Sequence, residues 1–264
     1  MSSSAGGEAR RLRLEGKVAI VTGGGHGIGA AYCEGLAKEG AAVAVAELDA
    51  EAGRAVAERL GKAGFAALAV PTDVTDEQST RAMAAGVLRE LGRIDVLINN
   101  AAIFSTIPMT RGPIDEVPPE EWDRMMLVNL KGPFLCCRAV LPAMRRQRSG
   151  SIVNISSGTV FAGLATRIHY ITSKAGILGF TRCLAREEGP NGIRVNTIAP
   201  GSTLSEENPT PEIVAFRQAR IGARALKRVQ YPSDLVGAAV FLASDESGFM
   251  TGQTLVVDGG AVMP

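Results

Sequence analysis

The chain has 264 residues, of which 46% are hydrophobic and 21% charged, the balance of a folded globular protein rather than a disordered or fibrous one. Lys+Arg 28 against Asp+Glu 27 leave a formal net charge of +1, so no whole-molecule field gathers nucleic acid or an anionic membrane. No run approaches the roughly 18 consecutive apolar residues that span a bilayer, and Met1 to Glu15 hold no apolar export segment, so no membrane role and a cytoplasmic address are expected.

A polar tail at 1–15, expected to be mobile, precedes a single domain at 16–264. Short apolar runs then alternate with helical patterns: Lys17 to Thr22, Ala42 to Glu47, Phe65 to Val70, Ile94 to Asn99, Ser151 to Ser156, Ile193 to Ala199 and Thr254 to Val257. Each reads as a strand buried on both faces, which predicts an α/β fold: a doubly wound parallel sheet with helices on both sides. Ligands of such sheets bind outside the carboxyl ends of the strands, so chemistry is sought in the residues that follow each one. The four cysteines (Cys33, Cys136, Cys137 and Cys183) lie in apolar helical stretches without metal or redox spacing and are read as reduced core residues.

After the first strand, Thr22-Gly23-Gly24-Gly25-His26-Gly27-Ile28-Gly29 opens a helical pattern through Ala30 to Glu39. Glycine there turns the chain, lets backbone N–H groups approach a pyrophosphate and allows the helix to pack near the strand. Glu47, at the end of the second strand and about 20 residues beyond the turn, suits the adenosine ribose hydroxyls. No Lys or Arg in the turn compensates a 2′-phosphate, which favours NAD over NADP; the competing reading makes Glu47 a cap of the helix near Asp49. Asp73, after the third strand, is either an adenine contact or an N-cap.

Two connections are long, roughly 100–118 and 201–232, and the second is read as the substrate loop. Between them, Asn129 lies in a helical segment from Trp122 to Arg146. Pro133 has no N–H and its ring clashes with the carbonyl of residue 129, which is thereby freed to hold a water. Ser157 follows the fifth strand, where its hydroxyl reaches the carboxyl edge and holds a substrate oxygen. Tyr170 and Lys174 stand four apart on one helix face. Bringing a free phenol to work as a base near neutrality costs about 4 kcal/mol. An ammonium about 5 Å away at an effective dielectric of about 20 supplies roughly 3 kcal/mol, and bound NAD⁺ adds positive charge.

Ile103-Phe104 with Ile107, Gly158-Thr159-Val160-Phe161 and Ser202-Thr203-Leu204 follow strands four, five and six. Their apolar side chains predict a hydrophobic alcohol or ketone, ring-bearing or of medium chain length, in preference to a sugar or a small charged acid. Ile213, Val214 and Phe216 either close over it or pack regardless of it. Arg217, Arg220, Arg224 and Arg228 recur at helix-like spacing and are read as a solvated face in preference to a landing site for an acidic carrier protein.

These motifs together resemble the short-chain dehydrogenase/reductase family. The likeness runs from about Gly16 to Gly260 and rests on the glycine turn, Asp73-Val74, Asn99-Asn100-Ala101-Ala102, Asn129, Ser157, Tyr170 with Lys174, Pro200-Gly201 and Asp258-Gly259-Gly260. It implies a Rossmann fold with Asn129, Ser157, Tyr170 and Lys174 as a catalytic tetrad, Lys174 also meeting the nicotinamide ribose and the Asn129 carbonyl holding a relay water. It implies cofactor contacts from Gly23, His26, Gly27, Ile28, Gly29, Glu47, Asp73, Val74, Asn100, Tyr170, Lys174, Pro200, Thr203 and Ser205, and no metal is implied. Ala102 and Ser205 depart from the common Gly and Thr, and Ser205 keeps a hydroxyl for the carboxamide. A homotetramer joined through helices at about 120–147 and 167–189 is implied. Two other functions are weighed: reduction of a 3-oxoacyl chain on an acyl carrier protein, and a catalytically idle NAD-binding protein.

Overall fold

The structure is a computed structural model and describes residues 12–104 and 109–264. Strands β1 (Val18–Thr22), β2 (Ala42–Glu47), β3 (Ala67–Pro71), β4 (Val96–Asn99), β5 (Gly150–Ile155), β6 (Ile193–Pro200) and β7 (Thr254–Val257) form one parallel sheet ordered β3-β2-β1-β4-β5-β6-β7. All seven arise from the expected runs. The period of two along each strand sends alternate residues to opposite cores. Ala19, Val21, Val43 and Ile98 meet one side, packed by α1 (Gly27–Lys38), α2 (Ala50–Lys62) and, near the C-terminus, Leu235 to Ala243. Val18, Ile20, Ala44 and Leu97 meet the other, packed by α3 (Glu77–Leu91) and by Cys136, Val140, Met144 and Leu184. β3 and β7 are only half-buried, unlike the central strands, because each has a neighbour on one side alone.

Three local expectations change. The described chain is anchored before Gly16: Leu14 is fully buried and Arg13 pairs with Glu39 at 2.9 Å, so the tail is not free as far as residue 15, and 1–11 lie outside the described residues. The helix expected from Trp122 to Arg146 is two, α4 (Pro119–Met126) and α5 (Gly132–Gln147), joined by a π turn at Leu127–Lys131. Pro133 cannot donate a helical hydrogen bond, and the Gly132 N–H reaches back to the Leu127 carbonyl, so the ladder slips by one residue around Asn129. Cys33, Cys136 and Cys137 are buried as read, but Cys183 is exposed, off the stripe through Ile177, Thr181 and Leu184 by which its helix meets the sheet.

The remaining helices are α6 (Thr159–Ala162), α7 (Ile168–Glu188), α8 (Pro211–Gln218) and α9 (Ser233–Ala243). No helix among the described residues is long and apolar enough to cross a membrane. α7 carries the key positions, and a buried polar chain sets it over the sheet. Asn99 donates to Asn154 at 2.8 Å, Asn154 donates to Thr181 at 2.9 Å, and Thr181 meets Thr197 at 2.8 Å. At its far end the Glu188 side chain, wholly buried, is held by Arg145 of α5 and by Asn191 at 3.0 Å. The Arg145 guanidinium keeps that carboxylate below its ordinary range against the upward push of burial. Removing one partner of such a pair costs roughly 3–5 kcal/mol. Asn191 retains one bond to Glu188, so Arg145→Ala is expected to cost about 2 kcal/mol and to lower the melting midpoint by about 4–8 °C in calorimetry.

Candidate active site

Strand order reverses at β1, whose neighbours β2 and β4 lead away to opposite sides, and a cleft of about 1010 Å³ opens above the carboxyl ends there. Each of the fourteen positions expected to meet a dinucleotide lines it, from Gly23 through Ser205. At the turn, Gly23 adopts φ +64°, and a Cβ on Gly29 would stand 1.9 Å from the Gly23 oxygen, so α1 starts closer to β1 than any side chain permits. The Asn100 amide braces the turn by donating to the Thr22 and Gly23 carbonyls at 3.1 and 3.0 Å.

Glu47 Oε2 accepts the Gly25 N–H at 3.0 Å, and Oε1 accepts the Leu48 and Asp49 N–H groups at 2.9 and 3.3 Å. A carboxylate offers about four acceptor sites, so one remains for a ribose hydroxyl. The capping reading of Glu47 fails because Asp49 is the N-cap of α2, accepting the N–H groups of Glu51 and Ala52. The capping reading of Asp73 fails likewise. Asp76 caps α3, while Asp73 lines the cleft and accepts the Thr75 N–H and hydroxyl at 2.8 and 2.7 Å. These residues fit an adenine dinucleotide: a glycine cradle that a Cβ would fill, and an acidic side chain at the tip of β2.

Ser157, Tyr170 and Lys174 meet deeper in the cleft, all nearly buried. Ser156 donates its hydroxyl to the Lys174 carbonyl at 2.7 Å, and Lys174 Nζ donates to the Ile155 carbonyl at 2.9 Å, which ties the first turns of α7 to the end of β5. Burial pulls the Lys174 ammonium down to about 8. The Tyr170 phenol is pushed up by burial, against the nearby Ser157 hydroxyl and the charges of Arg167 and Arg217. Lys174 Nζ is turned to the Ile155 carbonyl and is itself stripped of water, and Arg167 and Arg217 add positive charge that lowers the phenol. Asn129 does not line the cleft. Its Oδ1 accepts the Ile103 N–H at 2.8 Å and its Nδ2 donates to Ser173 at 3.2 Å, joining the segment after β4 to α7.

The substrate end is less apolar than its segments suggest. Ile103, Phe104, Gly158, Thr159, Ser202 and Thr203 line it, and Phe104 stacks on Tyr170 with ring centroids 5.1 Å apart. Val160 and Phe161 do not, since α6 begins at Thr159 and turns the following side chains aside, and neither does Leu204; Leu164 and Val262 take their place. Ile107 lies outside the described residues. Phe216 of α8 enters the wall, whereas Ile213 and Val214 stay outside it. The arginine run is not a solvated face. α8 ends at Gln218, so the run does not continue as one helix, and Arg217 and Arg224 are 5% and 3% exposed. Both point inward with Arg220, while Arg228 pairs with Asp234 at 2.6 Å. Arg167, directly before α7, also lines the cleft; nothing in its sequence context marks it, since its aim depends on the turn at Thr166.

A sequence-family profile described as enoyl-(acyl carrier protein) reductase matches residues 23–262. A solved short-chain type dehydrogenase/reductase from Mycobacterium marinum superposes with a TM-score of 0.87 at 33% identity, covering 96% of this chain and 98% of that one. The chain belongs to the short-chain dehydrogenase/reductase family. It is also similar to the D-threitol dehydrogenase of Mycolicibacterium smegmatis, 40% identical over 257 residues and 94% of each chain. The trans-4-hydroxycyclohexanecarboxylate dehydrogenase of Sinomonas cyclohexanicum is 38% identical over 254 residues, 94% of this chain and 93% of that one. As a member of the family the chain is an oxidoreductase acting on alcohols with a nicotinamide cofactor.

Proposed function

We propose that this short-chain dehydrogenase/reductase uses NAD to interconvert a secondary alcohol and its ketone, with Tyr170 as the acid and base. The observation that carries the reading is that Ser157, Tyr170 and Lys174, all nearly buried, line one cleft with Glu47. Bound nicotinamide supplies the hydride acceptor or donor. Ser157 and Tyr170 grip the substrate oxygen, and Tyr170 takes or returns its proton. Lys174, whose ammonium is pulled down to about 8, accepts and releases protons near neutral pH and so resupplies the phenol. Asn129 is assigned to the relay through its carbonyl, and its side chain holds Ser173 on α7 in register.

Phe104, Ile103 and Leu164 favour a ring or a medium-length chain as the body of the substrate. The test follows the absorbance of reduced cofactor with 1-phenylethanol and with threitol. A higher kcat/KM for the aryl carbinol is expected, and equal or better use of the polyol overturns the apolar-wall reading. Reduction of carrier-bound acyl chains is disfavoured, because Arg217 and Arg224 are buried rather than presented to a partner protein. A homotetramer is favoured by the apolar concavity of Met126, Leu127, Leu130, Phe134 and Phe180 between α5 and α7.

A further inference from the structure

Arg111, Arg167, Arg217 and Arg220 gather around one ring, that of Phe216, with guanidinium carbons 5.8, 6.0, 5.6 and 4.4 Å from its centroid. Among the described residues a single carboxylate pairs with any of the four, Glu206 with Arg217 at 2.7 Å. Glu207 is exposed at the cleft and pairs with none of them, and the Asp258 carboxylate is taken by the N–H groups of Gly260, Ala261 and Val262. A local excess of positive charge therefore stands in a protein whose formal net charge is only +1.

Two of these side chains are incompletely satisfied. Arg167 is 7% exposed, yet its guanidinium forms no ion pair or hydrogen bond among the described residues, and it is pulled down by burial and by Arg111 and Arg220. Arg217 donates to Ser202 and Glu206, but its buried Nε has no partner. The Arg167 nitrogens face the cleft, and a partly desolvated guanidinium without a counter-charge there is a ready site for an anion. Arg167 follows Thr166, whose φ of +69° is a strained conformation for a β-branched residue. An anion that enters the cleft supplies the missing counter-charge.

The position of the cluster says what the anion is attached to. Arg167 and Arg217 both act electrostatically on the Tyr170 phenol, the site of the reacting oxygen, while Glu47 marks the adenosine end. Phe104 stands between, 5.1 Å from the Tyr170 ring and 5.9 Å from the Arg217 guanidinium. We propose that the substrate is a hydroxy acid or its keto acid, its carboxylate held by Arg167 with Arg217 and Arg220, and an apolar ring or chain separating it from the carbinol carbon. A carboxylate offers two oxygens to the planar guanidinium fork, the strongest neutralisation available to such a group. This assignment rests on the dehydrogenase reading above and adds the substrate class.

The test pairs 4-(1-hydroxyethyl)benzoate with its methyl ester as substrates, and 4-acetylbenzoate with its methyl ester as ligands in titration calorimetry. The wild type is expected to favour the acid at least 30-fold in kcat/KM. Arg167→Gln is expected to cut that preference at least tenfold and weaken 4-acetylbenzoate binding to the same degree, with Arg167→Lys between the two. Because the wild-type guanidinium has no ion pair or hydrogen bond among the described residues to lose, only its contact with the Phe216 ring, Arg167→Gln is expected to melt close to wild type. Equal use of acid and ester overturns the proposal, as does an Arg167→Gln loss shared by both or appearing instead in the affinity for NAD. A lower melting point of the variant also overturns it, since that marks a structural pairing. If neither carbinol is turned over while 4-acetylbenzoate still binds through Arg167, the dehydrogenase reading fails and the anion site stands.

Discussion

Tyr170→Phe is expected to lower turnover about 10²- to 10⁴-fold, the range of general acid–base catalysis, while NAD affinity and the circular dichroism spectrum stay close to wild type. The substitution deletes one hydroxyl from a buried ring that stacks on Phe104 at 5.1 Å, so packing is conserved and only the proton path is lost. The pH dependence has a defined sign. Burial holds the phenol above its ordinary value, so at neutral pH its protonated form dominates, which suits ketone reduction. Alcohol oxidation requires the phenolate, so its kcat/KM is expected to rise with pH and that of reduction to fall. Ser157→Ala removes the hydroxyl that opposes the upward push and is expected to move the rise in oxidation to higher pH. Turnover by Tyr170→Phe at the wild-type rate, with a native fold, would sink the tyrosine mechanism.

NAD is expected to be preferred over NADP by about 30-fold or more in kcat/KM. A 2′-phosphate charge about 4 Å from the Glu47 carboxylate costs about 4 kcal/mol at an effective dielectric near 20, and even half of that survives as a large ratio. Glu47→Ser is expected to narrow the ratio. Because Glu47 also accepts the Gly25, Leu48 and Asp49 N–H groups, the variant should lose efficiency with NAD as well. The decisive quantity is therefore the NAD-to-NADP ratio, and a wild-type preference for NADP overturns the assignment.

The two halves of the site were legible to different degrees. The cofactor half is built from short-range relations: a strand, the turn directly after it, and an acidic residue at the end of the next strand. Parallel pairing of β1 with β2, Thr22 opposite Ala46, then brings Glu47 beside the turn. Tyr170 and Lys174 were legible because a helix puts residues four apart on one face. Asn129 was legible as a position, but the π turn around it required knowing how α4 and α5 share their hydrogen bonds. The arginines were misread, since periodicity places a side chain on a face but cannot say what that face meets.

By itself the sequence determined the seven parallel strands, the glycine turn after β1, the acidic side chain at the tip of β2 and the Ser157, Tyr170 and Lys174 positions. Each of these follows from local chain geometry and the fixed hand and order of strand–helix–strand units. Only the tertiary structure decided that Arg167, from the start of α7, and Arg217 and Arg220, from α8 and the turn after it, converge on Phe216 beside Tyr170. Their meeting depends on how a long connection after β6 brings Phe216 back to the residue before α7, a long-range packing that no sequence period encodes.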